Sequence, residues 1–369
     1  MKTSVLFEKQ QALGAVFSTY YDFQLPEYYT NLSKEYAAAR NSVTIMERPY
    51  FGQLLVSGQD HVDLLHRITT NELRNLKYGE GQINIFTNEK GRIVDRVVLQ
   101  KLTEGIRLIT SPRCSEKITA WIDKYTFVED VKVEDLTAKS DMLTLYGQQS
   151  AALLNSLFEN DFENLPDHHF KELQWRGEVL RISRSNELGI SGFNLTLDSE
   201  TVSEFWDFVL DKGSQFKLQP FGEAAYETLR MEAGWPLFDK DFDENINPHE
   251  ARMRAYVNLD KGCYIGQEVI ARLDTYEKVQ KFLIGLILHG DTTPKERDAI
   301  SINDQEAGYL TSVVHSMALD KNIALGYVRT KFIDNTEKVL IHSSGQQISG
   351  DLVELPFINH GNHESCQAL

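Results

Sequence analysis

Cysteine is scarce in this chain: 369 residues contain three. Cys114, Cys263 and Cys366 form an odd, widely separated set with no C-x-x-C pair. That pattern argues against a disulfide framework and against a self-contained zinc or iron–sulfur site. His360, His363 and Cys366 are each separated by two residues, but no fourth ligand accompanies them, and the polar segment past Pro356 reads as a frayed tail. Basic charge is also in deficit. Thirty-eight lysines and arginines face 54 acids, for a formal net charge of −16, so the chain lacks the field a phosphate-backbone binder needs. Long apolar runs are missing too. The longest, "FLIGLIL" from Phe282 to Leu288, falls far below the roughly 20 residues that span a bilayer, and it reads as a buried strand. Glu8 and Lys9 interrupt the place where a signal peptide would carry its apolar segment, so the expected location is the cytoplasm.

What remains is a globular composition, 41% hydrophobic and 25% charged. The length exceeds one ordinary core and predicts two or three packed units. "LSKEYAAAR" (Leu32 to Arg40) is rich in helix formers, with Ser33 as its expected N-cap. "FGQLLVSG" reads as a strand and "QDHVDLLHRITTNEL" as a helix, with Leu64, Leu65 and Ile68 at helical spacing. A turn at Asn88 to Gly91 leads into the β-branched strand "RIVDRVV". Ile118, Trp121, Ile122 and Tyr125 then mark an amphipathic helix. Strands and helices go on alternating, without dinucleotide-fold glycines, through the helix "FGEAAYETLRMEAG", which Gly234 should stop. After Tyr276 the pattern turns to short strands and turns. The reading is an α+β fold of ferredoxin-like pieces with a small C-terminal β-barrel. The expected organisation is a two-lobed region over 1–276, the barrel over 277–358 and a flexible tail over 359–369.

Three places could carry chemistry. Asp95 shares a strand face with Ile93, Val97 and Leu99. A carboxylate there is costly to ionise unless a cation or hydrogen-bond donor meets it. It reads either as an edge aspartate reaching water or as an acid facing a ligand. Arg230, three residues after Glu227, reads as an i,i+3 ion pair at a helix end or as a ligand contact. The octapeptide "KGCYIGQE" sets Cys263 between Gly262 and Gly266, just ahead of a helix, with Lys261 nearby. A helix N-terminus and a cation would both favour a reactive thiolate, whereas a small cysteine packed in a turn accounts for the same residues equally well.

These residues and their order resemble a known family. "KGCYIGQE" is similar to the signature of the YgfZ-type folate-binding proteins associated with iron–sulfur enzymes, relatives of the glycine-cleavage T-protein, the aminomethyltransferase. "LLVSGQDHVDLLHRITTNELRNLKYGEGQ", "TNEKGRIVDRVV", "ETLRMEAGWPLFDKDF", "AGYLTSVVHS", "IALGYV" and "LPF" resemble further blocks of that family, from about Glu35 to Phe357. The resemblance implies three lobes in a cloverleaf around a hole that takes tetrahydrofolate. It implies that Asp95 faces the N5 and N10 side of the folate and that Arg230 faces the pterin.

Some positions depart from the transferase pattern. Arg96 stands at its second aspartate, Ile190 at its pterin-gripping glutamate, Ile83 at its pocket tyrosine, and Ser111 near its pocket asparagine. The cysteine form of the octapeptide belongs to the YgfZ-like branch. The resemblance therefore implies a tetrahydrofolate-binding accessory protein for iron–sulfur client enzymes, including those that modify tRNA; the charge balance and short apolar runs add the expectation that no nucleic acid or membrane is bound directly. Asp95, Arg230 and Ser111 would hold the folate. Lys261, Gly262, Cys263, Gly266, Gln267 and Glu268 would form a second, thiol-centred site, with Asp95 and Cys263 the chemically active groups and no metal ligands. The alternative it implies is a folate-dependent aminomethyltransferase or demethylase.

Overall fold

The structure, a computed structural model, describes residues 1–275, 279–333 and 338–359. Two compact units divide it. One collects Met1–Ile68, Glu72–Asn84 and Arg96–Tyr226; the other collects Thr69–Asn71, Ile85–Asp95 and the chain from Glu227 onward.

The first unit holds two larger sheets. One runs, in spatial order, Phe170–Trp175, Glu178–Arg184, Gly192–Asp198, Ser140–Tyr146, Thr44–Glu47 and Gln219–Pro220. Alternation turns Leu143, Leu145, Phe193 and Leu195 into a buried cluster with the helices Ser150–Phe158 and Val202–Gly213. The second helix contributes Val202, Phe205, Trp206 and Val209, spaced i, i+3, i+4 and i+7, all buried. Burying each such side chain is worth about 1.5–3 kcal/mol. The other sheet runs Gly81–Thr87, Ile93–Lys101, Ile106–Pro112, Phe51–Ser57 and Lys132–Asp135. The ends Ile85–Thr87 and Ile93–Asp95 of its first two strands count with the second unit. A small sheet of Lys2–Thr3, Phe23–Tyr28 and Val16–Tyr20, not anticipated from the sequence, precedes both.

The helix expected at Leu32 to Arg40 forms as Leu32–Asn41, but its N-cap is Asn31, whose side chain accepts from the Lys34 N–H at 3.0 Å. Ser33 instead lies within the helix. Asn is at least as good a cap as Ser, and it stands one residue before the first helical position.

In the second unit the helix Glu223–Glu232, whose last residues lie there, ends as read. Gly234 takes a φ of +66°. The Trp235 N–H donates to the Arg230 carbonyl at 2.9 Å, closing a Schellman-type stop. The C-terminal strands close into a six-stranded barrel: Lys281–Leu288, Lys321–Arg329, Gln305–Ser316, Ala299–Ile302, Val339–Ser343 and Gln346–Val353. "FLIGLIL" is a barrel strand, and Ile284, Leu286 and Leu288 alternate into the barrel core. The α+β fold with a small C-terminal barrel stands as read. The boundary at 276 and 277, and the tail with His360, His363 and Cys366, lie outside the described residues. Among the described residues no helix is long and apolar enough to cross a membrane, and no cluster of three or more His, Cys, Asp or Glu could hold a metal.

Candidate functional site

Asp95 reaches its position through a turn and a strand whose hydrogen bonds can be followed residue by residue. The Asn88 side chain accepts from the N–H groups of Lys90 (2.9 Å) and Arg92 (3.0 Å), and the Asn88 carbonyl accepts from Gly91 N–H at 2.8 Å. This is the Asx-turn geometry that an N-x-x-G sequence favours. Two bonds fix the strand that leaves the turn. Ile93 N–H donates to the Ile246 carbonyl at 2.8 Å, and Arg92 pairs with Glu250 at 2.7 Å. Two residues later Asp95 is fully buried, at 0% exposure.

The octapeptide docks on that turn. Gly266 has a φ of +81°, and a Cβ there would sit 2.4 Å from the Asn88 carbonyl oxygen and 3.0 Å from Gly91 Cα. Only glycine permits both the backbone angle and the backbone-to-backbone approach. The Thr87 hydroxyl donates to the Ile265 carbonyl at 2.6 Å, and Val269 and Ile270 pack on Gly91. Lys261 is buried, and its ammonium donates to the Thr69 and Asn71 carbonyls at 2.7 and 2.8 Å. Tyr264 is buried with Val257 and Ile270, and burial pushes its hydroxyl up to about 12. Gln267 and Glu268 open the helix Gln267–Thr275. Gly262, at a φ of +92°, has open space around it, and Cys263 beside it is exposed.

Arg230 is fully buried and sits in a network that local sequence shows only in part. It makes a two-pronged contact with Glu227, as the i,i+3 spacing suggests. It also donates to Asp241 (2.6 Å), Ser312 (3.0 Å) and the Trp235 carbonyl (3.3 Å). Asp241 accepts in addition from Thr311, Ser312 and the Leu237 N–H. Two residues on, Glu232 accepts from the Ser316 hydroxyl at 2.6 Å and the Ala318 N–H at 3.1 Å. The L-R-x-E-x-G block is thereby a clamp from helix end to the barrel strand Gln305–Ser316. Burial would raise the Glu227 carboxyl, but Arg230 and Lys240 outweigh it and hold Glu227 at about 2.

Asp95, Arg230 and the octapeptide share one unit, whereas Ser111 belongs to the other, where its hydroxyl lies 3.5 Å from the Arg96 carbonyl. Ile83 and Ile190 are both buried in that first unit. The same unit holds a polar cluster the sequence did not announce. Arg48 ion-pairs with Glu187 and donates to the Tyr146 and Tyr226 hydroxyls, each at 2.8 Å. Burial alone would lower the Arg48 pKa, but Glu187 and the tyrosines outweigh it and raise it. The two charges stand 139 residues apart, so no spacing rule links them.

The model of the GCVT N-terminal domain matches residues 6–261, and that of the glycine cleavage T-protein C-terminal barrel domain matches residues 281–359. The chain belongs to the glycine cleavage T-protein family. Curated relatives of this T-protein family member are named aminomethyltransferase. That of Thermotoga neapolitana is 27% identical over 358 residues, covering 97% of this chain and 98% of the relative. That of Halothermothrix orenii is 29% identical over 359 residues, covering 97% and 100%. The crystal structure of the glycine cleavage system aminomethyltransferase T from Bartonella henselae matches with a TM-score of 0.89 at 23% identity, covering 97% of this chain and 98% of that one. At that identity the likeness bears on the fold. The YgfZ-type branch suggested by the octapeptide is not distinguished by these matches.

Proposed function

We propose that this T-protein family member binds tetrahydrofolate and performs a one-carbon step of the aminomethyltransferase kind, with Asp95 as its acid–base group. The relatives named aminomethyltransferase support this over nearly the whole chain. The observation that carries it is the complete burial of Asp95 on a strand whose register is set by the Asn88 turn and the octapeptide. A buried carboxylate is stabilised by a protonated or protonatable nitrogen, which is the chemistry the N5 and N10 side of a folate would offer. When bound, tetrahydrofolate would supply the N5 and N10 nitrogens that take up the one-carbon unit. Asp95 would orient the reacting amine and hold a proton at its carboxylate oxygens. Arg230, with its donors engaged in the clamp, would fix the wall of the site. Ile83 and Ile190, which stand where the resemblance expects a tyrosine and a glutamate, are both buried and apolar and carry no side-chain hydrogen-bond acceptor.

The test is single-turnover formation of methylene-tetrahydrofolate from a protein-bound aminomethyl donor. Asp95→Asn should slow it by about 10²–10⁴-fold, the usual contribution of a positioned acid–base group. A rate equal to the unmodified chain's would remove Asp95 from the chemistry.

One observation favours a second reading, the accessory role in iron–sulfur enzymes. A cysteine retained for turn packing would be buried, and Cys263 is exposed while Lys261 and Tyr264 beside it are buried. On this reading a Cys263→Ser chain folds normally but fails to restore client iron–sulfur enzymes in cells lacking the protein. Full restoration would discard it.

A further inference from the structure

The edge of the five-stranded sheet carries a second feature, separate from Asp95 and the octapeptide. The strand Lys132–Asp135 is the last in that sheet and pairs on one side with Phe51–Ser57. The Leu136 N–H donates to the Gln53 carbonyl at 2.8 Å. In an antiparallel pair the bonded positions alternate, so Glu134 and Lys132 exchange bonds with Leu55 and Ser57. Val133 and Asp135 then direct their backbone N–H and C=O groups outward.

The helix Ser115–Lys124 overhangs this edge. Glu116, Thr119, Ala120 and Asp123, spaced i, i+3, i+4 and i+7, form one wall of a cleft of about 450 Å³, and Val131, Val133 and Asp135 form the other. That volume lies within the roughly 300–1,000 Å³ usual for ligand sites. Small side chains at 119 and 120 leave the space a further strand would fill. The Thr119 hydroxyl is a buried atom without a hydrogen-bond partner among the described residues. Glu116, Asp123 and Asp135 are the charges in the lining, with no cation among the lining residues. Beside the cleft, Phe127 and Val128 stand 81% and 96% exposed.

We propose that this cleft is a strand-addition site for an extended, basic and apolar segment of a partner protein. Main-chain bonds to Val133 and Asp135 would supply the register. Apolar side chains at every second position would enter beneath Thr119 and Ala120. Lysines or arginines would meet Glu116, Asp123 and Asp135. A second copy of this chain fits poorly, because its own edge strand, with Lys132 against Glu134 and Asp135, brings a net negative charge to the same acidic residues.

Random eight-residue peptides displayed on phage and panned against the whole chain test the site. Recovered peptides should alternate apolar residues with lysine or arginine and protect the Val133 and Asp135 amides from hydrogen exchange. They should bind at least tenfold more weakly to Ala120→Trp, which fills the cleft, and to Asp123→Lys, which reverses its charge. Both substitutions fall on exposed helix positions, and unchanged melting temperatures would confirm folding. Three results would overturn the proposal: no enriched peptides, peptides without this pattern, or binding indifferent to both substitutions. Concentration-dependent dimers abolished by Ala120→Trp would overturn it in favour of a second copy.

Discussion

At Glu47 a single carboxyl ties folding to pH. It is buried at the end of Thr44–Glu47, where it accepts from the Ser4 hydroxyl at 2.6 Å and from the Gln10 amide at 2.8 Å. Burial raises it from 4.5 to about 8, with Asp141 adding to the rise. The folded state therefore holds this proton more tightly than the unfolded chain. Its contribution is fully present below about 4.5 and is lost as pH rises through about 8. Glu47→Gln should flatten this loss, so its melting-temperature advantage over the unmodified chain should grow from pH 5 to pH 9; a constant difference would contradict the assignment. Arg230 gives the opposite kind of prediction. Arg230→Ala strands Asp241 as a buried charge, and breaking such a pair costs about 3–5 kcal/mol, measurable by urea unfolding. A loss under 1 kcal/mol would show that Asp241 finds another partner. Local spacing revealed the Glu227 contact but not Asp241 or Ser312, which lie 11 and 82 residues away.

Among the elements, the octapeptide and the Asn88 turn act as one fastening. Gly266→Ala forces a Cβ into the Asn88 carbonyl at a positive φ. It should cost more than about 1 kcal/mol and weaken any ligand contact of Asp95; a neutral effect in both unfolding and ligand titration would separate the octapeptide from the strand. Much at this scale was legible. Helical spacing marked Ser115–Lys124, the Asn88-to-Gly91 turn appeared in its residue types, and period-2 alternation put Asp95 among buried aliphatics. The strands Gly81–Thr87, Ile106–Pro112 and Phe170–Trp175 escaped notice. Ile106–Pro112 is buried along its full length, so it carries no alternation, and it includes Arg107, whose buried guanidinium meets Gln53 and Ser140, 54 and 33 residues away in sequence. The N-terminal sheet was missed because its longest strand runs through Pro26. The local residues leave Cys263 level between turn packing and thiol chemistry and the resemblance tilts it toward the thiol, since exposure is a tertiary property.

For the whole molecule, the net charge of −16 and the family match point to a small-molecule ligand over a polyanion. A ligand that binds the folded state alone adds about 2.7 kcal/mol of stability at a hundred times its dissociation constant. Tetrahydrofolate should therefore raise the melting temperature of the full chain, while polyphosphate should not. The most direct measurement is calorimetric titration of the full-length protein with tetrahydrofolate, run in parallel on Asp95→Asn. The account predicts saturable one-site binding to the unmodified chain and at least tenfold weaker binding to the variant. Absence of binding at millimolar tetrahydrofolate, or equal affinities for the two proteins, would contradict it.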